Sequence, residues 1–225
     1  MNRELFKTNP SDRNFLPCGK RNAAHLGVVH HSCVLDEVAG QRLLSPARLH
    51  RLSGKTAPWV AVIAEHNKRV EAASDCWRLI YWIEIPLRNA LHTALEGEFG
   101  PSYWKTKAFE VRAGRQIVDA MNKATNEAEN DHQFPADLTF GTWVKLLSPR
   151  VSRHLWDQCL NRAFLPHAEA VVLFEGLVEL KSIRNAIAHH ELSAKITPEQ
   201  VYQLCIAIAE QMDDDLVDYL RELFG

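Results

Sequence analysis

Arg184, Asn185, His189 and His190 crowd into the stretch IRNAIAHHE, and their types suit chemistry on a phosphate. An arginine is a fixed cation whose planar fork matches phosphate oxygens. An imidazole changes charge between about pH 5 and 8, and a helix C-terminus favours its protonated form. If the stretch is helical, at about 100° per residue Asn185 and His189 stack on one face with Arg184 at its flank. Arg184 and His189 are five apart, so they splay around the axis toward anything lying across the helix end. These are the parts for cutting or gripping a phosphodiester, although one helix end does not enclose a phosphate unaided. The plainer reading of the same residues is that cations cap a helix C-terminus.

A second polar group, Glu84, Arg88, Asn89 and His92, lies in EIPLRNALH. Glu84 and Arg88 are four apart in the order preferred for a helical ion pair. RNALH looks like RNAIAHH, but its arginine and histidine are one residue closer and meet the surface differently. The group therefore reads as a Glu84–Arg88 structural pair, or as support for the other site, ahead of catalysis. A third candidate is the basic stretch from 145 to 162, where Lys145, Arg150, Arg153, His154 and Arg162 outnumber Asp157. It is either a solvated helix face or an RNA backbone contact beside Trp143 and Trp156. Trp143 itself reads as a core anchor ahead of a stacking platform.

No metal site is expected. His25, His30, His31 and Cys33 form one loose group without the paired ligand spacing of a zinc site. The adjacent carboxylates Asp213, Asp214 and Asp215 would face different directions on a helix and make a poor cage.

Positioning these side chains falls to helices. From His167 to Glu191, after Pro166, apolar residues recur at three- and four-residue steps: Val171, Leu173, Phe174, Leu177, Val178, Leu180, Ile183 and Ile187. That pattern predicts a helix with a wide buried face, and only Gly176 argues against it. LLSPARLHRL begins helically, with Ser45 as N-cap and Pro46 in the first turn. Ala57 to Gly100 carries little turn chemistry and predicts two helices, with a break between Glu65 and Ser74. The second of them carries Trp77, Ile80, Ile83, Leu87, Ala90, Leu91, Ala94 and Leu95 at helical spacing, is kinked by Pro86, and stops at Gly100-Pro101. Residues 109 to 130 predict one amphipathic helix weakened by Gly114, DHQFPADL a loop, and LTFGTWVKLL a short apolar segment with Thr139 or Thr142 as cap. After a Thr197-Pro198 start, Val201, Leu204, Cys205, Ile208, Met212, Leu216, Tyr219, Leu220 and Leu223 form the stripe of a final helix, bent near Asp213. The fold class is all-α, a bundle with crossing long helices and no sheet.

Length and composition bound the rest. The 225 residues suffice for one core with an arm, and 46% apolar with 24% charged residues is ordinary for a globular protein. Residues 1–42, punctuated by Pro10, Pro17, Gly19, Gly27 and Gly40, read as an N-terminal extension that holds at most a short helix, ahead of a helical domain over 43–225. A net charge of −2 excludes a generally basic nucleic-acid coat, so RNA contact requires a local patch. The five dispersed cysteines, the polar N-terminus and the lack of any run of ~20 apolar residues place the protein in the cytoplasm, with reduced thiols and no membrane partner.

RNAIAHH resembles the R-x4-6-H motif of HEPN domains, all-helical modules found in many RNA-cutting defence and toxin proteins. Arg184 and His189 give the four-residue spacing, His190 a five-residue one, and Asn185 matches the asparagine that often follows the arginine. LSPARLHRL, EHNKRVEAASDCW, IEIPLRNAL, FGPSYW, LTFGTWVKLLS and IRNAIAHHE also follow in an order similar to the Abi-like (abortive infection) branch, over Leu44 to about Glu191. Pro86 just before LRN departs from that pattern. The resemblance implies a HEPN-like bundle acting as a homodimer, with the motif ends of two protomers facing each other. It implies an endoribonuclease that needs no metal or other cofactor, serving phage defence or acting as a toxin, with RNA as substrate and an antitoxin or non-coding RNA as possible partner. In that scheme His189 or His190 moves protons, Arg184 stabilises phosphate charge and Asn185 orients one of them. The alternative within the family is a module that binds RNA or a partner without cutting.

Overall fold

The computed structural model describes residues 36–44, 58–127, 134–190 and 196–224. The readings of His25, His30, His31 and Cys33, of the extension before residue 36, and of the helix capped by Ser45 lie outside them. Within them every regular element is helical: α1 (Glu37–Leu44), α2 (Trp59–Phe99), α3 (Lys107–Ala113), α4 (Arg115–Glu127), α5 (Phe134–Asp137), α6 (Phe140–Leu146), α7 (Pro149–Leu155), α8 (Ala170–Ala188), α9 (Pro198–Met212) and α10 (Asp214–Phe224). Short 3-10 turns at Tyr103–Lys105 and Leu160–Ala163 complete them. The all-α class is therefore what the chain adopts.

The 41-residue α2 is the axis of the fold. The break expected between Glu65 and Ser74 is absent. No glycine or proline interrupts the helix before Pro86, and Arg69 donates to Glu65 one turn earlier at 2.7 Å. The helix continues through Pro86 as well, and ends where Gly100 donates its N–H to the Glu96 carbonyl at 2.8 Å. Cys76, Leu79, Ile80, Ile83, Leu87, Leu91, Ala94 and Leu95 bury one face, and each fully buried leucine contributes roughly 1.5–3 kcal/mol. Trp77, placed in that stripe by spacing, is instead 40% exposed.

α9 packs along α2, and α8 packs on both. Gly176 is what lets α8 come close: a Cβ there would sit 3.1 Å from Ile208 of α9. The start of α9 carries a full capping box between Thr197 and Gln200, with Pro198 in the first turn. The bend near Asp213 is a break rather than a bend. Asp213 leaves helical geometry and its carboxylate accepts the Leu216 N–H at 3.0 Å, which starts α10. Tyr219 and Leu223 are 40% exposed, at the edge of the buried stripe, with the Tyr219 ring 4.6 Å from that of Trp82 on α2.

Two further expectations change. The single helix over 109–130 is α3 and α4, separated by Gly114 at φ +86°, a conformation that glycine adopts without strain. Phe134–Asp137, expected as loop, forms one helical turn. Trp143 of α6 is fully buried in the core, and Thr139 caps α6 by accepting the Thr142 N–H. Cys76, Cys159 and Cys205 are buried free thiols, and burial pushes them up to about 11, 11 and 12 respectively. Among the described residues no helix is long and apolar enough to cross a membrane.

Candidate functional site

α8 begins three residues after the turn at His167, with Glu169 as N-cap, so Pro166 precedes the helix rather than opening it. Leu173, Leu177 and Leu180 point into the core, with Phe174, Ile183 and Ile187 partly buried beside them. Val171 and Val178, expected in that stripe, are 54% and 36% exposed. The buried face is narrower than the apolar pattern because α2, α6, α7 and α9, which pack on α8, leave Val171, Val172 and Val178 open.

The helix stops at Ala188, so the two histidines form its cap rather than its last turn. His189 donates its backbone N–H to the Asn185 carbonyl, and His190 donates to Ile187, each at 2.9 Å. His190 sits at φ +56°, the left-handed position usual just past a helix, where histidine is among the more tolerant residues. Both imidazoles are exposed. Asn185 and His189 line one open depression along α8 together with Val178, Lys181, Ser182 and Ala186.

Arg184 leaves the helix on the other flank. Its Nε lies 3.7 Å from Glu84 Oε2, and its guanidinium carbon lies 5.2 Å from the centre of the Trp77 ring. At that distance the Glu84 contact is an ion pair and not a hydrogen bond, and the buried Nε has no acceptor. The side chains are 31% and 20% exposed, so solvent screens the pair only in part. Ring and carboxylate together fix where the guanidinium points.

The Glu84–Arg88 pair is corrected by this geometry: Glu84 turns to Arg184, and among the described residues no ion pair joins it to Arg88. Of the second polar group, only Glu84 reaches the α8 end. Arg88 is half-buried with its Nε lacking an acceptor, and Asn89 is exposed. His92 is half-buried with Nδ1 3.3 Å from the Tyr103 hydroxyl. Burial pulls the His92 pKa below its ordinary value, opposed by the Glu96 carboxylate.

The third group divides. Lys145, Arg150 and Arg153 line one groove, whereas Arg162 pairs with Glu98 at 3.2 Å and donates to the Gln158 carbonyl at 2.8 Å. The same groove takes in Arg112, Arg115 and His154. Sequence spacing missed the two arginines. Their signal is VRAGRQ, a glycine with an arginine two residues before it and one immediately after. Neither tryptophan contributes: Trp143 is buried, and Trp156 stacks on Phe164 with centroids 5.5 Å apart.

Among the described residues no three His, Cys, Asp or Glu side chains converge as metal ligands. Comparison with protein-family models, curated proteins and solved structures gives no match.

Proposed function

We propose that the protein is a HEPN-like, metal-independent endoribonuclease of the Abi-like kind, working in the cytoplasm in phage defence or as a toxin. The observation that carries this reading is the end of α8. Asn185, His189 and His190 are presented to solvent there, while Glu84 and Trp77 hold Arg184 at the same end. In the reaction a ribose 2′-OH attacks the adjacent phosphorus and the bond to the 5′-oxygen breaks. His189 or His190 takes the 2′-hydroxyl proton, and the leaving oxygen gains a proton. The products are a 2′,3′-cyclic phosphate and a 5′-hydroxyl. Acid–base help of this kind is worth typically ~10²–10⁴ in rate. Arg184 stabilises charge on the five-coordinate phosphate, and Asn185 orients the imidazole or the phosphate.

In one chain Arg184 and His189 leave opposite flanks of α8. A homodimer in which two α8 ends meet would bring the arginine of one protomer toward the histidine of the other. The exposed Val178, in the same depression as Asn185 and His189, offers apolar surface for that pairing. The second reading is a module that holds RNA, an antitoxin or another partner without cutting. It is favoured by the Glu84 carboxylate beside Arg184, which offsets part of the charge that would stabilise a five-coordinate phosphate.

Incubating the purified protein with end-labelled RNA in EDTA separates the two. Fragments with cyclic phosphate ends, lost in both Arg184→Ala and His189→Ala, are expected. Wild-type-like cutting by both variants removes the assignment, and an intact but shifted RNA selects the binding module.

A further inference from the structure

We infer that the groove where the α3–α4 junction faces the α6–α7 junction docks the phosphate backbone of RNA, at a place separate from the α8 end. The choice of RNA as ligand rests on the proposed function; the basicity of the groove does not.

Five formal cations and an imidazole converge on it: Arg112, Arg115, Lys145, Arg150, Arg153 and His154. No aspartate or glutamate lines it. The chain as a whole carries −2, with 26 basic against 28 acidic residues, so this is segregation of charge and not a reflection of composition. Nearby carboxylates are turned to other partners. Glu98 accepts from Gln158 at 3.0 Å and pairs with Arg162, with Arg112 the one groove cation its charge also reaches, and Glu110 pairs with Lys107 at 2.9 Å. Asp119 meets Arg115 only at 3.8 Å, with both side chains exposed. Among the described residues no ion pair engages Lys145, Arg150 or Arg153. Like charges held together in this way repel unless an anion joins them.

The fold sets these cations in place. Gly114 turns the chain at φ +86°, which puts Arg112 before the turn and Arg115 after it. Arg112 is braced by donating to the Ala108 carbonyl at 2.7 Å, and Arg153 donates through Nε to His154 Nε2 at 2.9 Å.

The apolar lining decides the kind of polyanion. A protein partner usually meets an apolar or aromatic patch at the centre of its interface. Here Ile117 and Val151 are nearly buried, Val111 at 70% exposed is a single apolar side chain and no patch, and no aromatic ring lines the groove. Bases have nothing to stack on, so the contacts go to phosphates and carry little sequence information.

The test is fluorescence anisotropy of a labelled 2′-O-methyl RNA oligonucleotide, which lacks the nucleophile and stays intact whether or not the protein is a nuclease. Affinity should fall with salt, with a log–log slope of about −3.5 for five neutralised phosphates on a single strand. Lys145→Glu, Arg150→Glu and Arg153→Glu together should weaken binding at least ~10-fold at low salt and flatten the slope by about 2. Because this oligonucleotide cannot be cut, its binding is read apart from any cleavage, which keeps a failure of the groove distinct from a failure of the nuclease. All three positions are exposed; if the reversed triple melts early, the Gln triple replaces it, with a smaller loss of the same sign. Unchanged affinity and slope in a folded triple overturn the inference. So does competition by polyglutamate as strong as by polyuridine of equal charge, which would make the groove a dock for an acidic polypeptide.

Discussion

RNALH of α2 and RNAIAHH of α8 share almost the same letters and occupy opposite physical situations. The first lies inside a helix that continues for seven residues past its histidine. There His92 is half-buried against Tyr103, and Arg88 keeps a buried Nε without an acceptor. The second lies where a helix stops, so His189 and His190 fall in the cap turn and reach water. One extra residue between arginine and histidine matters less than whether the helix goes on. A guanidinium and an imidazole in mid-helix serve packing; at a terminus, beside free carbonyls, they are available to a ligand.

The largest expected difference between the two copies is in rate. His189→Ala should lower RNA cleavage by ~10²–10⁴, whereas His92→Ala should leave the rate within a few-fold of wild type. Gel quantification of cyclic-phosphate fragments reads both, and an inactive His92→Ala beside an active His189→Ala would exchange their roles. Arg184→Ala should cost ~10²–10³, with Arg88→Ala again far milder in the same assay. Stability should show the opposite ranking. Leu91, fully buried one residue before His92, should cost about 2–5 kcal/mol as Ala in urea unfolding, while Val178→Ala on the open side of α8 should stay within about 0.5.

The smallest effect concerns pH. The folded pKa of His92 lies below its unfolded value of about 6.5, so between the two the unfolded chain binds more protons. Its contribution to stability is complete above about pH 6.5 and declines as pH falls toward the folded pKa. Urea midpoints at pH 7.5 and 5.0 should therefore differ less in His92→Gln than in wild type. An equal difference in both would show that burial of this imidazole does not matter.

Fold class was legible because periodicity reports burial. The spacing of Leu173, Leu177 and Leu180, and the cap and proline at Thr197-Pro198, say helix on their own. Continuity was less legible. The local sign of one uninterrupted α2, no glycine or proline before Pro86, is only an absence, whereas Asp213 breaks a run that apolar spacing carries straight through. Which apolar residues face out depends on neighbours absent from a linear pattern, hence exposed Trp77, Val171 and Val178. At the site, residue types pointed to Arg184 and His189, but the partner of Glu84 is set by α8 crossing α2, 100 positions along the chain. Arg112 and Arg115 joined Lys145 for the same reason: a groove is made by tertiary packing and has no spacing of its own.

α2 is about 60 Å long at 1.5 Å per residue, and the main core holds it only from Cys76 onward. Ahead of that, Val62 is the sole buried side chain of the helix, in a small satellite with Leu44 and Trp59. Among the described residues the helix is therefore held unevenly, densely from Cys76 onward and more lightly over the roughly four turns before it. Amides between Val62 and Ser74 should trade hydrogen for deuterium through local fraying, orders of magnitude sooner than those around Leu87. Limited proteolysis should cut in this first part of α2 before it cuts in the part packed on the main core.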